Sequence, residues 1–297
     1  KCPDSCGEDL KMALKSAKKA FNEWKNASNE YRRDIILKIA DEIEKNSNKF
    51  ALAETIDNGK PITDSKNIDI PRSINNLRFY ASSIISNCSE SHSLPDNAIN
   101  YTLRDPLGIV ACISPWNYPL HLLTWKIAPA LAVGNCVIAK PSEVTPMTAY
   151  LFSKICIKAG LPKGVLSILH GTGHNIGEKI VEHPEIKAIS FTGGTKTGKI
   201  INKAASSYLK KVSLELGGKN PIIVFDDCNY KEMLETTIRS SFGNQGQICL
   251  CGERIFVQEG LYERFKKDFI NEAKKLKIGD PLNPKTKQGA IVSKEHY

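Results

Sequence analysis

From Gly108 onward the chain alternates short apolar runs with segments of helical periodicity, and this alternation restricts the fold more than any other feature. Residues 109–113, 136–139, 165–169, 186–191, 212–216 and 222–225 read as strands, the first of the buried type. Residues 120–133, 145–159, 176–182 and 197–209 read as the helices between them. Strands alternating with helices imply an α/β fold with a parallel sheet and right-handed crossovers. Ligands on such a sheet sit at the carboxyl ends of the strands, so the loops there are where chemistry is expected. The first part of the chain differs: residues 9–24, 31–57 and 70–85 place apolar side chains at helical spacing. Asn58-Gly59-Lys60-Pro61 is a stop and turn between the last two. Residues 87–106 are polar and then alternate, as a strand or hairpin inserted between two larger blocks would.

Composition narrows the class. At 297 residues, 41% hydrophobic and 25% charged, the chain has room for one large α/β unit or two domains. The longest apolar stretch, 127–139, is interrupted by Gly134 and Asn135 and is too short to cross a bilayer, so no membrane association is expected. The start has neither a Met nor the apolar segment of a secretory signal, and a trimmed or processed start is expected. The formal charge of +9 is spread along helices among Glu and Asp. Without a basic run interleaved with aromatics, it argues against a nucleic-acid partner. Nine scattered cysteines do not form a disulfide framework and favour a reducing, cytoplasmic setting. No metal-ligand spacing is present. His170 and His174 are separated by Gly171 and Gly173, which argue against the helix that a zinc pair would need.

Five loop positions carry unusual residues. After the strand 109–113 comes Ser114-Pro115-Trp116-Asn117-Tyr118-Pro119, where two prolines pin a turn that could present the Trp and the Asn amide, or could be an ordinary Pro-rich loop. Lys140-Pro141-Ser142-Glu143 could clamp ribose hydroxyls or a 2′-phosphate. Thr192-Gly193-Gly194-Thr195 opens a helix, and its glycines let backbone N–H groups approach a phosphate. Gly193, Gly198 and Lys199 nearly form a P-loop, but Ile200 stands where Mg²⁺ binding needs Ser or Thr. Gly171, Gly173 and Gly177 similarly miss the G-x-G-x-x-G pattern. In Leu214-Glu215-Leu216, an acid between leucines at a strand end should be partly desolvated, its pKa raised toward that of a general base. A surface Glu on a half-exposed strand fits equally. Finally, in Gly243-Asn244-Gln245-Gly246-Gln247-Ile248-Cys249-Leu250-Cys251, a thiol after a Gly- and amide-rich turn could be an exposed, activated nucleophile.

Together these motifs, in this order and at these separations, closely resemble the aldehyde dehydrogenase superfamily. The separation of Glu215 from Cys249 matches that family's spacing of base and nucleophile. Asp69-Ile70-Pro71-Arg72, Phe79-Tyr80-Ala81-Ser82-Ser83 and Ile248-Cys249-Leu250-Cys251 further resemble its 2-aminomuconic semialdehyde dehydrogenase branch. The resemblance implies a Rossmann-related NAD-binding sheet flanked by helices, plus the first part of a second α/β catalytic domain. On this division, 1–86 is the helical start of the cofactor domain and 87–106 an inserted oligomerisation hairpin. Residues 107–217 are then the NAD-binding core and 218–297 an incomplete catalytic domain.

The resemblance also implies roles. Cys249 would attack the aldehyde, the Asn117 amide and the Cys249 N–H would hold the oxyanion, and Glu215 would activate the water that releases the acid. Ile113, Ser114, Pro115, Trp116, Lys140, Ser142, Glu143, Gly173, Gly177, Phe191, Thr192, Gly193, Gly194, Gly198 and Leu216 would contact the dinucleotide. Glu143 would favour NAD over NADP by repelling a 2′-phosphate. Arg72 would pair with a substrate carboxylate, with Arg78 as the competing candidate and an Arg72–Asp69 pair as the competing use of Arg72. Cys251 would be a bystander, and the parent enzyme a homo-dimer or homo-tetramer.

Two departures stand out: Gly194 replaces a Ser, and Glu253 replaces a small hydroxyl residue. The family continues for another domain beyond Tyr297, so this stretch alone is expected to be inactive. A broad-range or betaine aldehyde dehydrogenase, or a truncated, inactive nucleotide-binding relative, are the alternatives.

Overall fold

The computed structural model describes residues 2–95 and 97–297. Five helices come first: α1 (Gly7–Asn26), α2 (Asn29–Lys45), α3 (Ser47–Asn58), the single turn α4 (Ile62–Asp64) and α5 (Ile70–Ser83). The helix expected over 31–57 is in fact two. Asn46 breaks it, because its side chain donates to the Glu42 carbonyl (2.7 Å) and competes with the helical ladder. Gly59 then ends α3 with φ +87°, a conformation that favours glycine. An antiparallel hairpin follows, β1 (Ser91–Leu94) with β2 (Ala98–Tyr101), exposed at all eight positions.

Next comes the parallel sheet: β3 (Ile109–Ile113), α6 (Pro119–Ala132), β4 (Cys136–Lys140), α7 (Met147–Lys158), β5 (Leu166–Ile168), α8 (Glu178–Glu182), β6 (Ile186–Thr192), α9 (Thr195–Ser206) and β7 (Lys211–Glu215). The helix expected from 176 starts earlier, as one wide turn over Gly173–Gly177 that runs into α8. That turn includes His174 but not His170. Strand order is β5-β4-β3-β6-β7, all parallel.

Alternate residues of the central strands feed two cores, which explains why these strands read as unbroken apolar runs. Val110, Cys112, Val137 and Ala139 pack with Ile36, Leu77, Leu123 and Phe152 on one face. Ile109, Ala111, Ile113 and Ile138 pack with Leu10, Leu14, Ile180 and Ile201 on the other.

The sheet grows from β3 outward in one direction through β4 and β5, then in the other through β6 and β7. Open α/β sheets leave a crevice at such a reversal, beyond the carboxyl ends of the strands. Register brings those ends level: Ile113 lies opposite both Lys140 and Phe191, and Thr192 lies opposite Glu215. Beyond this sheet, β8 (Asn220–Val224) pairs in parallel with β9 (Gly252–Val257), joined through α10 (Tyr230–Phe242) and followed by α11 (Glu259–Lys274). Among the described residues, no helix is long and apolar enough to cross a membrane.

Candidate active site

The loop after β3 is fixed by its backbone. The Trp116 carbonyl accepts from Asn58 Nδ2 (2.9 Å) and Thr145 Oγ1 (3.2 Å). The Asn117 carbonyl accepts from Lys60 Nζ (2.9 Å) and Asn244 Nδ2 (3.1 Å). The Asn117 side chain bridges outward: Oδ1 accepts from the Tyr118 N–H (3.1 Å), and Nδ2 donates to the Gln247 carbonyl (2.9 Å). Two residues on from Gln247 is Cys249, which is exposed. Sequence positions 117 and 249 therefore meet at one place, with one N–H of the Asn117 amide still free of that bond.

A tight turn makes the approach possible. Asn244, Gln245 and Gly246 have φ of +49°, +59° and +77° in succession. Asn tolerates this left-handed region and Gly adopts it freely, which accounts for the amide- and glycine-rich sequence here. Asn220 Nδ2 then donates to the carbonyls of Cys249 (2.6 Å) and Cys251 (3.0 Å), pinning both ends of the cysteine pair to β8. Cys251 itself is buried.

Glu215 ends β7 level with Thr192, and its carbonyl accepts from the Gly193 N–H (3.0 Å). The side chain is exposed, not partly desolvated as its leucine neighbours suggested. The cause is position: β7 is an edge strand, and Leu214 and Leu216 are themselves only half-buried. Lys126 on α6 is near enough that Glu215 and Cys112 oppose the downward pull of burial on its ammonium. Lys126 Nζ reaches Ser190 Oγ at 3.4 Å.

At the other strand ends, Lys140 is buried and pairs with Glu143 (2.9 Å) while donating to the Pro141 carbonyl (2.9 Å). Burial opposes the Glu143 charge, but backbone N–H donors and Lys140 outweigh it and hold the carboxyl below its usual range. Ser142 is buried and bonds the Val144 N–H (3.2 Å). Among the described residues, three buried polar atoms lack a partner along this rim: Ser114 Oγ, His170 Nδ1 and Thr192 Oγ1. The glycines divide by role. A Cβ on Gly193 would meet the Phe191 ring at 2.4 Å, and one on Gly198 would meet the Leu216 side chain at 2.5 Å, so those side chains would have to shift. Gly173 and Gly194 face open space, and Gly177 lies against the Lys140 stem. Gly194 caps α9, whose first turn has no side-chain cap. The Trp116 ring meets His296 edge-on at 4.4 Å, and Pro115 lies half-buried between Trp116 and Ser114.

Residues 1–297 match the model of the aldehyde dehydrogenase family. The chain belongs to the aldehyde dehydrogenase family. It is 48% identical over 297 residues to the 2-aminomuconic semialdehyde dehydrogenase of Mus musculus, covering 100% of this chain and 61% of that protein. It is 44% identical to the 2-aminomuconic 6-semialdehyde dehydrogenase of a Pseudomonas species, over 96% of this chain and 59% of that one. Among solved structures, the NAD+ complex of a Bacillus cereus aldehyde dehydrogenase superposes with a TM-score of 0.96 at 35% identity, over 98% of this chain and 60% of that one. The chain thus spans about 60% of the length of the curated relatives it matches.

Within this aldehyde dehydrogenase chain, the two candidate arginines separate clearly. Arg78 is committed to Glu44 (2.7 Å) and Asp41 (2.9 Å). Arg72 is exposed on α5, and among the described residues it has no ion pair, because Asp69 pairs with Lys60 instead. A buried group that the sequence reading passed over lies beside them. Lys60 contacts Asp69, sits 3.8 Å from Glu54 and stacks 4.2 Å over the Tyr118 ring. Burial pushes the Glu54 carboxyl well up, against the pull of Lys60. Lys60 stood in plain view in the turn motif, but as turn chemistry only. Nothing local marks a lysine as buried when its partners come from other elements. Among the described residues, no three His, Cys, Asp or Glu side chains converge as a metal site.

Proposed function

We propose that the protein oxidises an aldehyde to the acid through a thioester on Cys249, with NAD as the hydride acceptor, and that its substrate is a carboxylate-bearing semialdehyde such as 2-aminomuconic semialdehyde. The observation that carries this is the bond from Asn117 Nδ2 to the Gln247 carbonyl (2.9 Å), which ties an amide donor to the loop of an exposed cysteine. The thiolate adds to the aldehyde carbon, and the free N–H of Asn117 with the Cys249 N–H stabilises the resulting oxyanion. Glu215, exposed at the end of β7, takes a proton from the water that cleaves the thioester. Cys251, buried, takes no part.

The sheet rim fits a dinucleotide: orphaned Ser114 Oγ and Thr192 Oγ1, the uncapped N-terminus of α9 behind Gly194, and open space at Gly173 and Gly194. Ile113, Pro115, Trp116, Phe191, Gly193, Gly198 and Leu216 would shape that rim, with Gly177 supporting Lys140. Lys140, Ser142 and Glu143 would hold the adenine ribose, where the ionised Glu143 disfavours a 2′-phosphate. Bound there, NAD supplies the two-electron oxidant.

The unpaired Arg72 supports the acidic substrate, and the relatives' names support the same class. The exposed Ile99 and Tyr101 of the hairpin support assembly into a dimer or tetramer. Nine free cysteines support a reducing compartment. The test is NAD reduction by the full chain, including any sequence flanking residues 1–297, with acidic and neutral aldehydes. Arg72→Ala is expected to lower kcat/KM for the acidic semialdehyde by about 10- to 100-fold, the worth of a charge-assisted pair, and to spare neutral aldehydes. Equal losses on both classes would refute Arg72 as the carboxylate partner.

A further inference from the structure

The Asn58-Gly59-Lys60-Pro61 turn does more than end a helix. Asn58 Nδ2 holds the Trp116 carbonyl (2.9 Å), and Lys60 Nζ holds the Asn117 carbonyl (2.9 Å). Both donors are buried, at 1% exposure each. Two successive peptides of the oxyanion loop are thus gripped from one turn. The turn is itself anchored: the Gly59 carbonyl accepts from the Ala290 N–H (2.9 Å), and a Cβ on Gly59 would press the Ala290 carbonyl oxygen at 2.9 Å. Ala290 in turn accepts from Gln245 Nε2 (2.9 Å), in the turn that precedes Cys249. The loop carrying Asn117 and the loop carrying Cys249 are therefore both referred to the same four residues.

We propose that this turn is a positioning element of the active site, in which the Lys60 ammonium, balanced by Asp69, fixes the Asn117 peptide and so keeps its amide aimed at the oxyanion. The assignment rests on the reading of Cys249 and Asn117 given above. A neutral donor would serve less well. A charge-assisted bond is roughly twice as strong as a neutral one, and the Asp69 carboxylate prevents the buried ammonium from standing unpaired. A displacement of about 1 Å at such a donor can cost on the order of 10²-fold in rate, so a rigid grip on the backbone has a catalytic consequence.

The experiment compares two reactions of Cys249 in the full chain. With 4-nitrophenyl acetate the sulfur bonds the acetyl carbon, an oxyanion forms, and 4-nitrophenolate leaves. With iodoacetamide the sulfur displaces iodide at a saturated carbon and no oxyanion forms. Lys60→Met combined with Asp69→Asn removes both buried charges together. It is expected to slow acylation by roughly 10²-fold while alkylation keeps the wild-type rate. Asn58→Ala should give the same split at roughly 10-fold, and it carries the comparison alone if the double variant does not fold. Unchanged acylation in the variants, or equal losses in both reactions, would overturn the positioning role. A wild-type Cys249 that is not acylated at all would remove the catalytic reading and the positioning role with it.

Discussion

The Asn117 loop leaves a strand whose five residues are all buried, whereas the Cys249 loop runs from α10 into β9, where Phe256 is exposed, as is Ile223 on its partner strand β8. On the β3 side, the strand is placed by apolar packing on two faces, and buried donors from one turn, Asn58 and Lys60, then fix the loop that follows it. On the β8–β9 side, the backbone is held mainly by side-chain amides: Asn220 on Cys249 and Cys251, Asn244 and Asn117 around Gln247, and Gln245 on Ala290. Apolar burial supplies stability but little direction. Amide-to-carbonyl bonds supply direction at about 0.5–1.5 kcal/mol each. Perturbing the apolar packing should therefore cost stability, and perturbing the polar bonds that aim either loop should cost chemistry.

The largest expected effect tests whether the exposed side carries the reaction at all. Cys249→Ala should lower aldehyde oxidation by roughly 10⁴-fold or more, as loss of a nucleophile does, with folding unchanged. Cys251→Ala, two residues away but buried, should leave most of the activity. Activity that followed Cys251 instead would break the assignment of sides. Next is the packed side. Phe152 is fully buried on α7 against the sheet, and Phe152→Ala should destabilise by about 3–5 kcal/mol in urea unfolding while kcat changes little. A kcat loss as large as that of an oxyanion-loop variant would show that packing also aims the site.

His121 on α6 sharpens the boundary between the two sides. Burial, then Arg72 and Lys60, push it down to about 4, and Asn76 Nδ2 lies 3.1 Å from its Nδ1. Because the folded state releases this proton more readily than the unfolded chain, stability is full above about pH 6.5 and is lost as pH falls toward 4. His121→Leu should remove up to about 3 kcal/mol of that acid sensitivity. An unchanged slope of stability between pH 7 and 4 would mean that another group sets it.

The same division explains what could be read from the residues alone. Strands β3 and β4 were legible because burial on both faces writes an unbroken apolar run, and their loops followed from topology. The motif carrying Cys249 was legible because a left-handed turn favours the Asn and Gly found at two of its three positions. For Glu215 the sequence left a desolvated and a surface carboxylate equally open, because leucines on either side do not reveal that a strand lies at an edge. The break at Asn46 was missed because one side-chain bond overrode a continuous helical pattern. Lys60, Asp69 and Glu54 were scattered by sequence, and only tertiary packing brings them together as a buried cluster.

The smallest stability effect is also the sharpest test of the comparison. Asn220 begins β8, and its amide is the one side chain that holds both the Cys249 and Cys251 carbonyls among the described residues. The contact is partly exposed, so Asn220→Ala should cost only about 1 kcal/mol, because water can replace the lost donor. The loop would then be free to rotate the Cys249 N–H away from the oxyanion. Losing one such donor outright costs about 10²–10³-fold, so a partial misalignment should lower kcat by roughly 10-fold with KM for NAD unchanged. Asn220→Asp, which keeps the shape but offers no donor, should behave like Ala. A variant that loses stability and kcat in the proportion seen for Phe152→Ala would erase the distinction between a packed side and an aimed side.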